Sequence, residues 1–315
     1  MSLAVEIKRV YKTYTQGIIK KRKKNALKGI DLEVPLGSIY GILGPNGAGK
    51  TTLISIISGL LVPDCGIVKV LGKHITSDAD YIFRNINMCS GRANFLWSMT
   101  VQENLKYYAM LYGIPNIEQK IQQLLDLFCL KEYKDIQFEE LSTGIKQRLS
   151  LAKAFINDPK LVLLDEPTVA LDPNVAMLIR ETIQQFHKQK GITFLISTHN
   201  MEEAKILCDE VFFIFDGQIK AKGSIDSIKR DLKIGDKICI EFFENYPSNS
   251  DISDIDGILD ISVTKNLISI IVDDHKVRLP QLLSNWESNI IKAIEIHEVN
   301  LEDVFFNFSR RANKN

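Results

Sequence analysis

The sequence predicts an α/β protein: a parallel sheet flanked by helices, interrupted by a helical insertion and followed by a small α+β domain. Three observations carry that prediction. Short β-branched runs alternate with helical patterns through the front of the chain, and a glycine-rich loop joins one of those runs to a helix. Charge separates front from rear, because residues 226–315 hold 11 Lys/Arg against 16 Asp/Glu while residues 1–225 hold 28 against 23. A length of 315 residues exceeds what one core usually spans, so two domains are expected, 1–225 and 226–315.

The elements follow in order. Ser38–Leu43 reads as a strand leading into a helix from Lys50, whose apolar positions are Leu53, Ile56 and Ile57. Residues 97–157 read mainly as helix and form the insertion, with Leu105, Tyr108 and Tyr112 on one face and Ile117, Ile121, Leu124 and Phe128 on another. Lys160–Leu164 is a second strand. The helix after it has Asp172 to cap it, Pro173 for its first turn, a stripe of Val175, Ile179, Ile183 and Phe186, and Gly191 to end it. Ile192–Ser197 repeats the strand-then-helix pattern, which implies a parallel sheet. Glu210–Phe215 and Gln218–Lys222 flank Asp216-Gly217, a hairpin turn pair. Past a boundary near Gly223, Lys237–Phe243 and Asn266–Val272 read as strands and Lys276–Asn285 as a short helix.

Composition excludes several classes. With 39 Lys/Arg against 39 Asp/Glu the net charge is zero, which disfavours bulk electrostatic binding of nucleic acid. A 45% hydrophobic, 25% charged chain is neither disordered nor collagenous. The longest uncharged apolar stretch, Leu53–Val62, falls short of the roughly 18 residues that cross a bilayer, and Glu6 and Lys8 break any signal peptide. A cytosolic chain without membrane insertion is expected. Five scattered cysteines (Cys65, Cys89, Cys129, Cys208, Cys239) lack metal or redox spacing and read as small buried hydrophobes.

Gly44-Pro45-Asn46-Gly47-Ala48-Gly49-Lys50-Thr51 matches GxxxxGK[ST], directly after an apolar strand and directly before a helical pattern that includes Thr52. The glycines let consecutive N–H groups turn inward onto phosphate oxygens, and the helix N-terminus adds to that field. Lys50 is expected to bridge β- and γ-phosphates and Thr51 to ligate Mg²⁺. The α/β prediction thereby narrows to a P-loop NTPase core. The strand Leu161–Leu164 ends in Asp165-Glu166, at the sheet edge where such folds bind ligands. Asp165 is expected to hold Mg²⁺, and Glu166 to polarise the attacking water. Strand Ile192–Ser197 runs into Thr198-His199, whose imidazole can donate a hydrogen bond to the γ-phosphate.

The order of parts then becomes informative: the P-loop, Leu141-Ser142-Thr143-Gly144, Asp165-Glu166, Ala170-Leu171-Asp172 and His199. Residues 1 to about 225 resemble the ATP-binding subunit of an ABC transporter, and Leu141–Arg148 is similar to the LSGGQ signature segment. Thr143 and Ile145 depart from that pattern. Ser142 can cap the following helix, whose face holds Ile145, Leu149 and Ala152, and Ser142 with the Gly144 N–H forms an anion site.

The resemblance implies an antiparallel β subdomain beside the core, and ATP and Mg²⁺ as cofactors. It implies head-to-tail closure of two copies, so that Ser142 and Gly144 face the partner's ATP and Asp172 lies in the loop at the dimer interface. Tyr14 matches the aromatic that stacks on adenine, with Tyr11 as its rival. The glutamine expected to touch Mg²⁺ is missing: alignment lands on Ser90-Gly91-Arg92, so Arg92, Asn94 or water must substitute, and Gln102 is not assigned that role. Phe95-Leu96-Trp97 either helps form the groove for a helix of the membrane subunit or packs beneath the insertion. Lys20–Lys24 is a solvated run or a contact to anionic headgroups. Val299–Phe305 resembles the tail of drug and ion exporters with ABC-2-type permeases.

The implied function is the ATP-hydrolysing motor of an exporter, peripheral on the inner face of the cell membrane, driving a separate permease as a homodimer. The alternative is a nonmembrane ABC ATPase acting on ribosomes or DNA. That class commonly carries two cassettes or long coiled coils, and neither feature is visible here.

Overall fold

Strand-and-helix alternation in the front of the chain resolves into two sheets that share one helix between them. The computed structural model describes residues 2–16, 22–90, 95–169, 171–232, 234–244, 252 and 255–299. It divides into two compact units, Met1–Ala221 and Lys222–Asn315.

The first unit opens with β1 (Leu3–Gln16), β2 (Arg22–Pro35), β3 (Ile39–Leu43), α1 (Lys50–Ile57), β4 (Cys65–Val70), β5 (Lys73–His74), α2 (Ala79–Asn85) and β6 (Ile86–Ser90). The helical insertion follows as α3 (Val101–Leu111), α4 (Ile117–Leu127) and α5 (Thr143–Ala154). The unit then returns to the sheet through β7 (Leu161–Asp165), α6 (Pro173–Lys190), β8 (Thr193–Thr198), α7 (Met201–Leu207), β9 (Glu210–Phe215) and β10 (Gln218–Gly223).

The larger sheet has the order β10-β9-β3-β8-β7-β6, and β9, β3, β8, β7 and β6 run parallel. Every residue of β3 and β8 is buried. That burial on both faces explains why these strands read as continuous apolar runs. Register sets Leu43 opposite Thr198 and Asp165 opposite Ser197, so the loops leaving β3, β7 and β8 start side by side. The smaller sheet, β2-β1-β4-β5, is antiparallel as expected. Its inner residues Val5, Ile7, Leu32 and Val34 share one core with Leu53 and Ile57 of α1 and with Tyr40 and Ile42 of β3. The opposite face of the large sheet packs against the insertion and α6 through Leu105, Leu124, Leu149, Phe155 and Phe186.

The hairpin turn between β9 and β10 has positive φ at both Asp216 (46°) and Gly217 (74°), the type I′ geometry that matches strand twist. Two local expectations fail. Asp172 occupies the N-cap of α6 but its carboxylate makes no cap bond, and the helix starts on Pro173 at its first turn instead. Cys65 and Cys129 are exposed: Cys129 sits at φ 51°, in the left-handed turn that leaves α4. Cys89 is fully buried, and burial pushes its thiol up to about 11.

The second unit holds α8 (Ile225–Leu232), β11 (Asp236–Phe242), β12 (Ile258–Thr264), β13 (Leu267–Val272), α9 (His275–Leu283) and β14 (Ile291–His297). Its sheet, β12-β13-β11-β14, is antiparallel. Alternating residues Ile238, Ile240, Phe242, Ile268, Ile270 and Val272 form a core with Leu282 and Trp286. Asp236 ties that unit together, accepting from the His275 N–H (3.1 Å), His275 Nδ1 (2.8 Å) and the Val299 N–H (3.0 Å).

Candidate nucleotide site

The loop from β3 to α1 turns so tightly that only certain residues fit. Gly49 has φ 112°, and a Cβ there would lie 2.7 Å from the Ala26 carbonyl, so no side chain is tolerated. Ala48 is buried, its N–H donating to the Pro45 carbonyl (3.2 Å) and its carbonyl accepting from the Gly217 N–H (3.0 Å). Those bonds fix the loop to the β9–β10 turn.

Lys50 opens α1 with a side chain only 5% exposed. A buried ammonium must find acceptors. Its Nζ donates to the carbonyls of Gly44 (2.8 Å) and Pro45 (3.3 Å) and lies 3.3 Å from Glu166 Oε1. The same Glu166 oxygen lies 3.3 Å from His199 Nδ1. Two residues, one from the helix that follows β3 and one just past β8, thus converge on the carboxylate that follows β7. Glu166 has φ 51°, and its N–H donates to the Ser197 carbonyl (3.0 Å) and Oγ (3.2 Å), which turns its side chain out of the β7 direction.

Thr51 Oγ1 donates to Asp165 Oδ1 (3.4 Å), and Ser197 Oγ donates to the same oxygen. Tyr14 and Thr52 share a hydroxyl–hydroxyl bond of 3.3 Å. Tyr11, the rival aromatic, instead packs where a Cβ on Gly29 would sit, its hydroxyl 2.7 Å from that point. A cavity of about 330 Å³ is lined by Tyr14, Asn46, Gly47, Gly49, Lys50, Thr51, Thr52 and Glu166, together with Lys24 and Ala26. Of the other predicted site residues, Gly44, Ala48, Asp165 and His199 adjoin these residues without lining the cavity, and Ser142, Gly144 and Asp172 do not line it either.

Ser142 is exposed at the N-cap of α5, its Oγ accepting from the Ile145 N–H at 3.5 Å. The nearest atom to a Cβ on Gly144 would be 3.9 Å away, on Val175, so this start of α5 is open. Ile145, Leu149 and Ala152 form its buried face. Gly91, Arg92, Asn94, Ala170, Lys20, Lys21 and residues 300–305 lie outside the described residues.

Sequence reasoning missed four contributors. Lys24 faces Tyr14 in register across β1 and β2 and shares its cavity. Ser197 holds both Asp165 and the Glu166 N–H. Gln147 of α5 donates to the Pro167 carbonyl (2.9 Å), linking the signature helix to the loop after β7. Glu203 of α7 receives hydroxyls from Thr168 and Thr198. Only Lys24, in the basic run ten residues after Tyr14, carried a signal short of the fold.

A family model described as ABC transporter matches residues 27–169. The ABC transporter ATP-binding protein NatA of Bacillus subtilis is 35% identical over 212 residues, covering 66% of this chain and 86% of that one. Nod factor export ATP-binding protein I of Rhizobium sp. is 37% identical over 226 residues, 71% of this chain and 73% of that one. Methionine import ATP-binding protein MetN of Vibrio cholerae is 38% identical over 230 residues, 71% of this chain and 66% of that one. A solved dimeric ATP-binding cassette in a post-hydrolysis state, bound to ADP and phosphate, matches with a TM-score of 0.64 at 25% identity, over 70% of this chain and 98% of that one.

Proposed function

The chain belongs to the ABC transporter ATP-binding family, whose members bind and hydrolyse ATP, and from that premise we propose that it is the motor subunit of an exporter, closing on ATP as a homodimer and driving a separate ABC-2-type permease. The observation that carries the reading is the convergence of Lys50, His199 and Glu166 within 3.3 Å at one sheet edge.

In this reading the loop N–H groups and Lys50 hold the β- and γ-phosphates. Tyr14, which lines the same cavity, offers its ring to adenine. Glu166 accepts the proton of the attacking water, and His199 beside it keeps a donor toward the γ-phosphate. Thr51 and Asp165, a hydroxyl and a carboxylate in contact, are the hard oxygen donors that suit Mg²⁺, and they would hold it. Bound there, Mg²⁺ would neutralise charge on the β- and γ-phosphates. Ser142 and Gly144, outside their own copy's cavity, suit the phosphates of a second copy, and the similar cassette solved with ADP and phosphate is a dimer.

A second cavity, of about 390 Å³, supports docking of a permease helix. It is lined by Leu60, Phe83, Met88, Phe95, Tyr108 and Lys153 among others. Phe95 is core, its ring tilted against Phe138 and edge-on to Tyr108. Trp97, 69% exposed, and Leu96 project beside it. Asn104 holds that projecting loop, accepting from the Leu96 N–H and donating to the carbonyls of Leu96, Met99 and Thr100. No described helix is long and apolar enough to cross a membrane, so attachment through such a partner supports a place on the inner membrane face. The relatives include both an export and an import protein, so the export reading rests on the Val299–Phe305 resemblance.

Affinity purification from detergent-solubilised membranes tests this. Recovery with a polytopic protein, and ATP-dependent accumulation inside inverted vesicles carrying both, is the expected outcome. Recovery with ribosomes or DNA and no membrane protein would overturn the motor reading, and uptake in the opposite sense would overturn export.

A further inference from the structure

Glu203 is 1% exposed on the first turn of α7, and it does not line the nucleotide cavity. A buried carboxylate is costly unless its acceptor capacity is met. Here two hydroxyls meet it: Thr168 Oγ1 donates to Oε1, and Thr198 Oγ1 donates to Oε2 at 2.6 Å. The Thr198 oxygen also accepts the Asn200 N–H at 3.0 Å, so its own single proton is directed to Glu203. Asn200 in turn caps α7, accepting from the N–H groups of Glu202 (2.9 Å) and Glu203 (3.1 Å). The carboxylate therefore stands on a fixed helix start and receives one hydroxyl on each oxygen.

The two hydroxyls belong to the loops that matter. Thr168 is two residues beyond Glu166, and Thr198 immediately precedes His199. Parallel pairing ends at Asp165 opposite Ser197, so beyond that point no ladder bond holds the two loops in register. Main-chain support reaches one residue further, through the Glu166 N–H to Ser197. Past it, among the described residues, Glu203 joins one loop to the other from behind, and the His199–Glu166 contact joins them in front.

We propose that Glu203 is a positioning residue for ATP hydrolysis, an anionic clamp that sets the spacing of Glu166 and His199 from behind without touching nucleotide. This rests on the roles given above to those two residues. The chemistry needs the clamp because a displacement of about 1 Å at a reacting group costs up to ~100-fold in rate. A glutamine in its place must present an N–H₂ to one hydroxyl, which reverses one of the two bonds and removes the charge that strengthens both.

The test uses the full chain and compares Glu203→Gln, Thr168→Val and Thr198→Val with Glu166→Gln and His199→Ala. Equilibrium nucleotide binding, kcat and KM for ATP are read for each. Glu203→Gln is expected to hold nucleotide affinity and KM within about twofold while kcat falls at least ~10-fold. The two threonine variants should each lower kcat, with losses that do not add to that of Glu203→Gln. Near-normal kcat in Glu203→Gln beside inactive Glu166→Gln and His199→Ala would overturn the proposal. So would equal losses in kcat and nucleotide affinity, the mark of general damage. Should Glu203→Gln fail to fold, the threonine pair tests the same clamp through the same three measurements, and normal kcat in both would overturn it. Normal turnover in Glu166→Gln and His199→Ala would instead sink the reading on which the proposal rests.

Discussion

Lys50 shows how a single charge is made useful. Its ammonium is buried, yet two carbonyls and one carboxylate hold it at the mouth of the cavity, so it needs little rearrangement to meet phosphate. A charge-assisted bond of this kind contributes about 1.5–3 kcal/mol. Lys50→Ala is therefore expected to weaken ATP binding by roughly 10- to 100-fold, read by titration with a fluorescent nucleotide; unchanged affinity would count against the P-loop assignment. Lys50 was legible from spacing alone because its partners, Gly44 and Pro45, lie within six residues of it and the loop carries its own geometry. Ser197 and Glu203 were not, since their meaning depends on β8 lying beside β7, which brings them partners (Asp165, Glu166 and Thr168) more than thirty residues away.

The same contrast holds for whole elements. α6 was readable because its signals are local: Pro173 at the start, Gly191 at φ 63° at the end, and an apolar stripe between. β1 was not. Its register slips between Ile7 and Val10, where Arg9 takes φ 48° and donates its N–H to Asp31, and that irregularity breaks the two-residue alternation by which a strand is recognised. In the second unit, β11 and α9 depend on Asp236. Burial alone would raise this carboxyl, but the N–H groups of Val299 and His275, His275 Nδ1 and Lys229 outweigh it and hold Asp236 below its ordinary value. Asp273, bonded to Arg278, is shifted the same way. A carboxyl whose folded value is depressed stabilises fully above its unfolded value and loses that contribution as pH falls through the folded one. Urea unfolding followed at Trp286, in a Trp97→Phe background, should thus show this contribution unchanged from pH 7 to about pH 5 and falling below it. Asp236→Asn should be less stable at neutral pH and show a flatter acid slope; an unchanged slope would refute the role given to Asp236.

At the scale of the whole molecule, the parts of the site do not all meet within one chain. Lys50, Thr51 and Glu166 line one cavity, whereas Ser142 and Gly144 lie at the open start of α5 and do not border it. In the proposed head-to-tail pair each nucleotide would lie between Lys50 of one copy and Ser142 of the other, and a two-fold pair would make two such sites. Ser142→Asp keeps a good N-cap for α5 but sets a like charge against phosphate, so it should block hydrolysis without unfolding the helix. Lys50→Ala should block it from the other side. Mixed in equal amounts, the two inactive proteins should regain activity: random pairing makes about half the dimers mixed, each with one intact site of two, or ~25% of the wild-type rate. The steady-state ATPase rate of the mixture, measured against each variant alone, decides the matter. A mixture as inactive as its components would mean that Ser142 serves the nucleotide of its own copy, and the paired site would have to be abandoned.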